Sequence, residues 1–243
     1  MFTSTTMYAL TAAAVAAIAA SATAGAAPSV ATTTDTTAAP TAKPPTVKTS
    51  RMDIDGDGRR DTTTLRLTKP TNTQYTYTLE TRTARGARAS TPVVISDNGE
   101  DIDAIWWGAA GLDGTPGAEI VLNPSPVGDG ASLRVYRWHK GKLVPQAVPG
   151  TRRWRNGGQD WRTVNMPWAI HGYTFYTSRG VRYVVDHDLK PYRSTGKFSG
   201  THTTYRWNTK TATWSKVTTK RAGLVSDAYA QQKYGGVFGV TFR

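Results

Sequence analysis

Several stretches beyond residue 50 alternate apolar and polar side chains with a period of two, the spacing of a half-buried β-strand. Thr62-Thr63-Thr64-Leu65-Arg66-Leu67 reads this way. Leu133-Arg134-Val135-Tyr136-Arg137-Trp138, followed by a polar turn at Gly141 and by Leu143-Val144, predicts a hairpin, and Thr204 to Ser215 repeats its Tyr-Arg-Trp and its short turn. Tyr75 to Leu79, then Arg85-Gly86 and Pro92 to Ile95, is a third and weaker echo. Gly172 to Thr177 and Gly180 to Val185 predict two strands around Ser178-Arg179-Gly180. One helix is expected, over Ser226 to Tyr234, with Ser226 as N-cap and Gly235 as its stop. The expected fold class is all-β, built of three antiparallel strand-rich units.

The first 50 residues follow another pattern. Residues 1–26 hold no Asp, Glu, Lys or Arg, and the apolar run Tyr8 to Ala20 ends in Ala22-Thr23-Ala24 and Ala24-Gly25-Ala26. This predicts a secretory signal peptide over 1–26, although no Lys or Arg precedes the run, and hence a secreted, extracellular protein. Residues 27–50 are rich in Thr, Pro and Ala and poor in large apolar side chains, which predicts a disordered linker. The folded domain is expected over 51–243.

Charge then divides the exported part. Of 30 Lys and Arg and 17 Asp and Glu, residues 151–243 hold 16 basic and 4 acidic side chains, net +12, against net +1 for residues 27–150. There is no cysteine, which excludes disulfide staples, zinc ribbons and thiol catalysis. Thr151-Arg152-Arg153-Trp154-Arg155-Asn-Gly-Gly-Gln-Asp160-Trp161-Arg162 interleaves guanidinium groups with indoles. Arg pairs with phosphate in a bidentate fork and Trp stacks on sugars or bases, so Arg152, Arg153, Trp154, Arg155, Trp161 and Arg162 are candidate contacts for an anionic partner. Export favours an extracellular anionic polymer, a cell-surface glycan or a phospholipid surface over nucleic acid.

The sharpest motif is Asp53-Ile54-Asp55-Gly56-Asp57-Gly58-Arg59-Arg60-Asp61. Acids at loop positions 1, 3, 5 and 9 surround one point with hard oxygen donors, while Gly at 4 and 6 permits the tight turn. With the Arg59 carbonyl at position 7, this set suits Ca²⁺. An EF-hand needs Glu at position 12 and flanking helices; here position 12 is Thr64, inside a strand pattern. The nine residues resemble the FG-GAP or VCBS repeat, the integrin-α-like calcium-binding unit in which D-x-D-G-D-G-x-x-D precedes a strand. The resemblance implies Asp53, Asp55, Asp57 and Asp61 as calcium ligands, and an incomplete propeller or compact open sheet. A second loop, Gly111-Leu112-Asp113-Gly114-Thr115-Pro116-Gly117-Ala118-Glu119, keeps acids at positions 3 and 9 only and reads as a vestigial turn.

Motifs for catalysis are sparse. There is no G-x-S-x-G, P-loop or H-E-x-x-H. Asp186-His187-Asp188 invites an alternative, an extracellular polymer hydrolase using His187 and a nearby acid. Alternation along a strand turns His187 away from both neighbours, which argues against it. The leading expectation is a secreted, non-catalytic calcium-binding protein of β-repeats that adheres to an extracellular anionic polymer or surface.

Overall fold

A computed structural model describes residues 47–70, 74–96, 101–125, 130–150 and 160–243. Arg152, Arg153, Trp154 and Arg155, and the expected signal segment, lie outside them. Among the described residues the chain is all-β and almost wholly antiparallel, in two sheets. The first is a four-stranded meander of β1 (Val47–Met52), β2 (Asp61–Pro70), β3 (Gln74–Arg82) and β4 (Arg88–Ser96). β1 pairs with β2 from Val47 onward, so Val47 to Ser50 belong to the domain and not to the linker expected to run to residue 50.

A short helix, α1 (Ile102–Ile105), leads into β5 (Trp106–Ala110), β6 (Glu119–Leu122), β7 (Gly130–His139) and β8 (Lys142–Pro145). Then come β9 (Trp161–Met166), β10 (Ala169–Ser178), β11 (Val181–Pro191), β12 (Lys197–Asn208) and β13 (Thr213–Ser226), helix α2 (Asp227–Tyr234) and β14 (Val237–Phe238). The second sheet runs β13-β12-β11-β10-β9-β7-β6-β5, with β8 on β7 and β14 parallel to β10, and neither sheet closes on itself. The expected hairpins are present as β3–β4, β7–β8, β10–β11 and β12–β13. Ser226 caps α2 through the N–H of Tyr229, and Gly235 follows as the C-cap.

Strand alternation sorts the side chains into three cores. Leu65, Tyr77, Leu79, Val93 and Ile95 of the first sheet meet Ile120, Leu122, Tyr136 and Leu143 of the second, with Ile102 and Ile105 between. Val121, one residue out of phase with Ile120 and Leu122, joins the second core on the other face, so β6 is buried on both sides. Trp106 and Trp107 divide in the same way, the first packing on one core and the second on the other. Beneath α2, Ile170, Leu189, Phe198, Ala222 and Ala230 form the third. The segment after α2 lies along β10, where Tyr173 donates to the Gly236 carbonyl at 2.7 Å, and reaches β5, where Ala109 and Arg243 exchange backbone bonds of 2.9 and 3.1 Å.

Trp161 sits at the centre of the second core, with 2% of its surface exposed. Its ring lies 5.2 Å from Tyr173, 5.8 Å from Phe175 and 6.1 Å from Trp214. This corrects the expectation that Trp161 offers a stacking face to a ligand: as the first residue of β9 it points inward, and its exposed neighbour Arg162 points out. Trp161→Ala should destabilise the fold by about 3–5 kcal/mol, the usual cost of removing a buried Trp. Trp168→Ala, at a side chain 64% exposed, should cost less than about 0.5 kcal/mol. Urea denaturation of both variants checks the contrast, and equal losses would refute this placement of the two indoles.

Candidate metal centre

The first loop joins β1 to β2, and the backbone turns tightly because Gly56 adopts φ +80°, a left-handed conformation costly for other residues. That turn brings one oxygen each from Asp53, Asp55 and Asp61 within 4.8 Å of one another. Each carboxylate is held by backbone N–H groups. Asp53 Oδ1 accepts from Gly56 (2.8 Å) and Asp57 (3.1 Å), and its Oδ2 accepts from Gly58 (2.9 Å). Asp55 Oδ1 accepts from Asp57 at 3.1 Å. Asp61, 1% exposed, accepts from Ile54 (2.7 Å), Asp55 (3.1 Å) and Ala84 (2.8 Å).

Asp57 departs from the expected set. Its Oδ2 lies 2.8 Å from Nε of Arg85, on the β3–β4 turn, and its Oδ1 accepts from the N–H of Arg59. Three convergent carboxylates and one that faces a guanidinium replace the symmetrical four. The three repel one another: burial first, and then the charges of Asp61, Asp57 and Asp53, push the Asp55 carboxyl above its ordinary range, partly offset by the Asp57 N–H. A divalent cation placed among them would relieve that repulsion, and carboxylate oxygens suit Ca²⁺.

The second loop repeats the backbone plan without the cluster. Position 9 accepts from positions 2 and 3 in both: Glu119 Oε2 takes the N–H groups of Leu112 (2.6 Å) and Asp113 (3.4 Å), as Asp61 takes those of Ile54 and Asp55. Position 3 accepts from position 5, here Asp113 from Thr115 at 2.8 Å. Gly114 matches Gly56 at position 4 with φ +75°. Gly111 supplies no carboxylate at position 1, and Asp113 is occupied by the Thr115 hydroxyl (2.6 Å) and by Gln146 Nε2 (2.9 Å). Burial, reinforced by the Asp113 charge, raises the Glu119 carboxyl well above its ordinary range. The two loops touch, since Ala118 donates to the Asp53 carbonyl at 2.8 Å.

The histidines assemble in a way that their separation in sequence conceals. His187 on β11 and His202 on β12 are cross-strand partners, with their Nδ1 atoms 2.8 Å apart. His187 Nε2 lies 2.8 Å from the Thr174 hydroxyl, and Tyr234 of α2 covers both rings at 4.6 and 4.9 Å. Asp186 and Asp188 face the other side, where Asp186 bonds His171 Nε2 at 2.8 Å and His171 Nδ1 contacts the Arg162 carbonyl. The partner of His187, which is itself 5% exposed, is thus a second histidine under a helix. Neither a protein-family model, nor a curated protein, nor a solved structure matches this chain.

Burial foremost, then the neighbouring His202 and His171, lowers the His187 pKa from 6.5 to about 3. The unfolded chain therefore takes up this proton first as pH falls. The stabilisation is complete above pH 6.5 and is lost progressively toward pH 3. Between pH 6.5 and about 5 this histidine's own contribution should fall by about 1.7 kcal/mol, with the raised Glu119 carboxyl acting in the opposite direction equally in the wild type and in a His187 variant. His187→Gln keeps a side chain able to bond Thr174 and should flatten this slope. Denaturation midpoints across that pH interval test the point, and parallel curves for the two proteins would contradict it.

Proposed function

We propose that this chain is a secreted, non-catalytic binding protein of the FG-GAP or VCBS type, whose first loop holds one Ca²⁺ and whose basic half adheres to an extracellular anionic partner. The observation that carries the reading is the convergence of Asp53, Asp55 and Asp61 at loop positions 1, 3 and 9, immediately before a strand. The shared hydrogen-bond plan of the two loops supports a repeated unit of which only the first retains acids at all four positions 1, 3, 5 and 9. The cation would fix the start of β2 by neutralising the cluster, and the mainly β-sheet scaffold would present the basic surface. Nothing in this reading asks His187 to react, which agrees with its burial between His202, Thr174 and Tyr234.

Asp55 is the informative ligand to alter, because its carboxylate accepts the Asp57 N–H, whereas Asp53 and Asp61 each organise three backbone N–H groups. With free Ca²⁺ about 100-fold above its Kd, the wild-type protein should gain about 2.7 kcal/mol and melt about 5–10 °C higher. Asp55→Asn retains the acceptor for Asp57 while removing the charge, and should lose most of that gain. An equal calcium response in the variant, or none in the wild type, would refute the metal assignment.

The basic half should retain the protein on heparin resin, with retention falling steeply as salt rises, because each phosphate- or sulfate-like contact releases a counterion. Retention that ignores salt would overturn the electrostatic reading of the partner.

A further inference from the structure

In an antiparallel run, every second turn falls at the same end of the sheet. For β9 to β13 this gathers the β9–β10 turn, the β11–β12 turn and the passage from β13 into α2. Of the six large hydrophobic side chains exposed among the described residues, three lie here: Trp168 (64%), Leu224 (53%) and Tyr229 (46%). Register fixes their level. Ile170, Leu189, Gly200 and Ala222 form one cross-strand row; Trp168 lies two residues beyond it toward this end, and Leu224, in the bulge between the Gly200–Ala222 and Phe198–Val225 pairs, about one. With β11 and β12 between their strands, they stand about 14 Å apart.

The strand ends between them are basic. Lys190, Arg193 and Lys197 are exposed, and Arg193 lies over the Tyr192 ring at 5.3 Å. The acids that register places nearby are Asp227, whose carboxylate accepts from Gln231 at 2.8 Å, and Asp188 one row inward on the opposite face. Isolated indole and leucine side chains standing among Lys and Arg have little use against a soluble polyanion, because Leu224 cannot pair with phosphate or stack on a sugar. A second copy of the chain would bring the same cations face to face. A lipid surface uses every member: Trp and Tyr favour the headgroup level, Leu enters the acyl boundary, and Lys and Arg meet anionic headgroups.

We propose that this end of the sheet docks on an anionic phospholipid surface, with Trp168, Leu224 and Tyr229 entering the interface and Lys190, Arg193 and Lys197 contacting headgroup phosphates. The inference rests on the reading that the basic half adheres to an anionic partner, and it commits that partner to lipid.

The test is cosedimentation of the full chain with vesicles of phosphatidylcholine alone or mixed with phosphatidylglycerol, run beside heparin retention. Binding is expected only to the mixed vesicles. Trp168→Ala should weaken it about tenfold, from the lost apolar burial, and should remove the blue shift of indole fluorescence on binding. The double variant Lys190→Glu, Lys197→Glu should weaken it at least about 25-fold, about fivefold per lost cation. All variants keep the same N-terminal segment, so the differences report the sheet end alone, and unchanged melting temperatures show that the fold is kept. Heparin retention without vesicle binding, or full vesicle binding by Trp168→Ala, overturns the lipid proposal and leaves the anionic-partner reading standing. Loss of both kinds of binding in the wild type defeats that broader reading as well.

Discussion

A buried carboxylate that gathers backbone N–H groups is the interaction on which the two sheets depend. Asp61 and Glu119 are each at most 3% exposed, each is the first residue of a strand, and each ties the loop before it to that strand through the N–H groups of loop positions 2 and 3. Without such acceptors these donors would be buried and unpaired, at a cost of about 1–3 kcal/mol each. Because Ala118 of the second loop donates to Asp53 of the first, the two carboxylates also set how the loops meet. The position of β2 relative to β6 follows from a pair of acids, with the apolar core filling the space that they define.

The same two positions show how one backbone plan supports opposite electrostatic outcomes. In the first loop, Asp53 and Asp55 add charge beside Asp61, and the residual repulsion favours a cation. In the second, position 1 is glycine and Asp113 is satisfied by Gln146 and Thr115, so the leading cost is the desolvation of Glu119 itself. Arg182 stands where it can moderate that charge: its Nε donates to the Leu112 carbonyl at 3.1 Å, and Asp113 and Glu119 both favour its charged form against a burial that opposes it. A charged side chain from β11 thereby does for the second loop part of what a metal ion would do for the first.

How much of this was legible in the sequence depended on the range of the interaction. The loop of Asp53 to Asp61, the hairpin turns and the Ser226 cap are local, and adjacent residues determine them. Strand alternation also separated His187 correctly from Asp186 and Asp188. It could not bring His187 to His202, because that contact is set by the register of β11 on β12, fixed by cross-strand pairs such as Val184 with Tyr205. Trp161 illustrates the reverse error. An Arg-Trp interleaving describes a surface and a strand entering a core equally well, and only the aromatic partners on β10 and β13 decide between them. The start of β1 was missed because Val47-Lys48-Thr49-Ser50 has linker-like composition and becomes a strand through pairing with Thr63 to Arg66.

The distribution of charge in the second half answers a constraint that comes before any partner. β13 has 14 residues and lies at the end of the strand order, so among the described residues no strand pairs with the outer side of its backbone, an edge on which another chain could pair. Val217 is 54% exposed there, and Thr and Val favour extended structure, a combination that invites edge-to-edge association. Lys216, Lys220 and Arg221 lie exposed along the same strand, and a second β13 laid against it would set cation against cation. The opposite end of the strand order meets the same problem with backbone: β5 is paired at Ala109 by Arg243. The basic character of β13 therefore disfavours edge-to-edge pairing whatever else those charges contact.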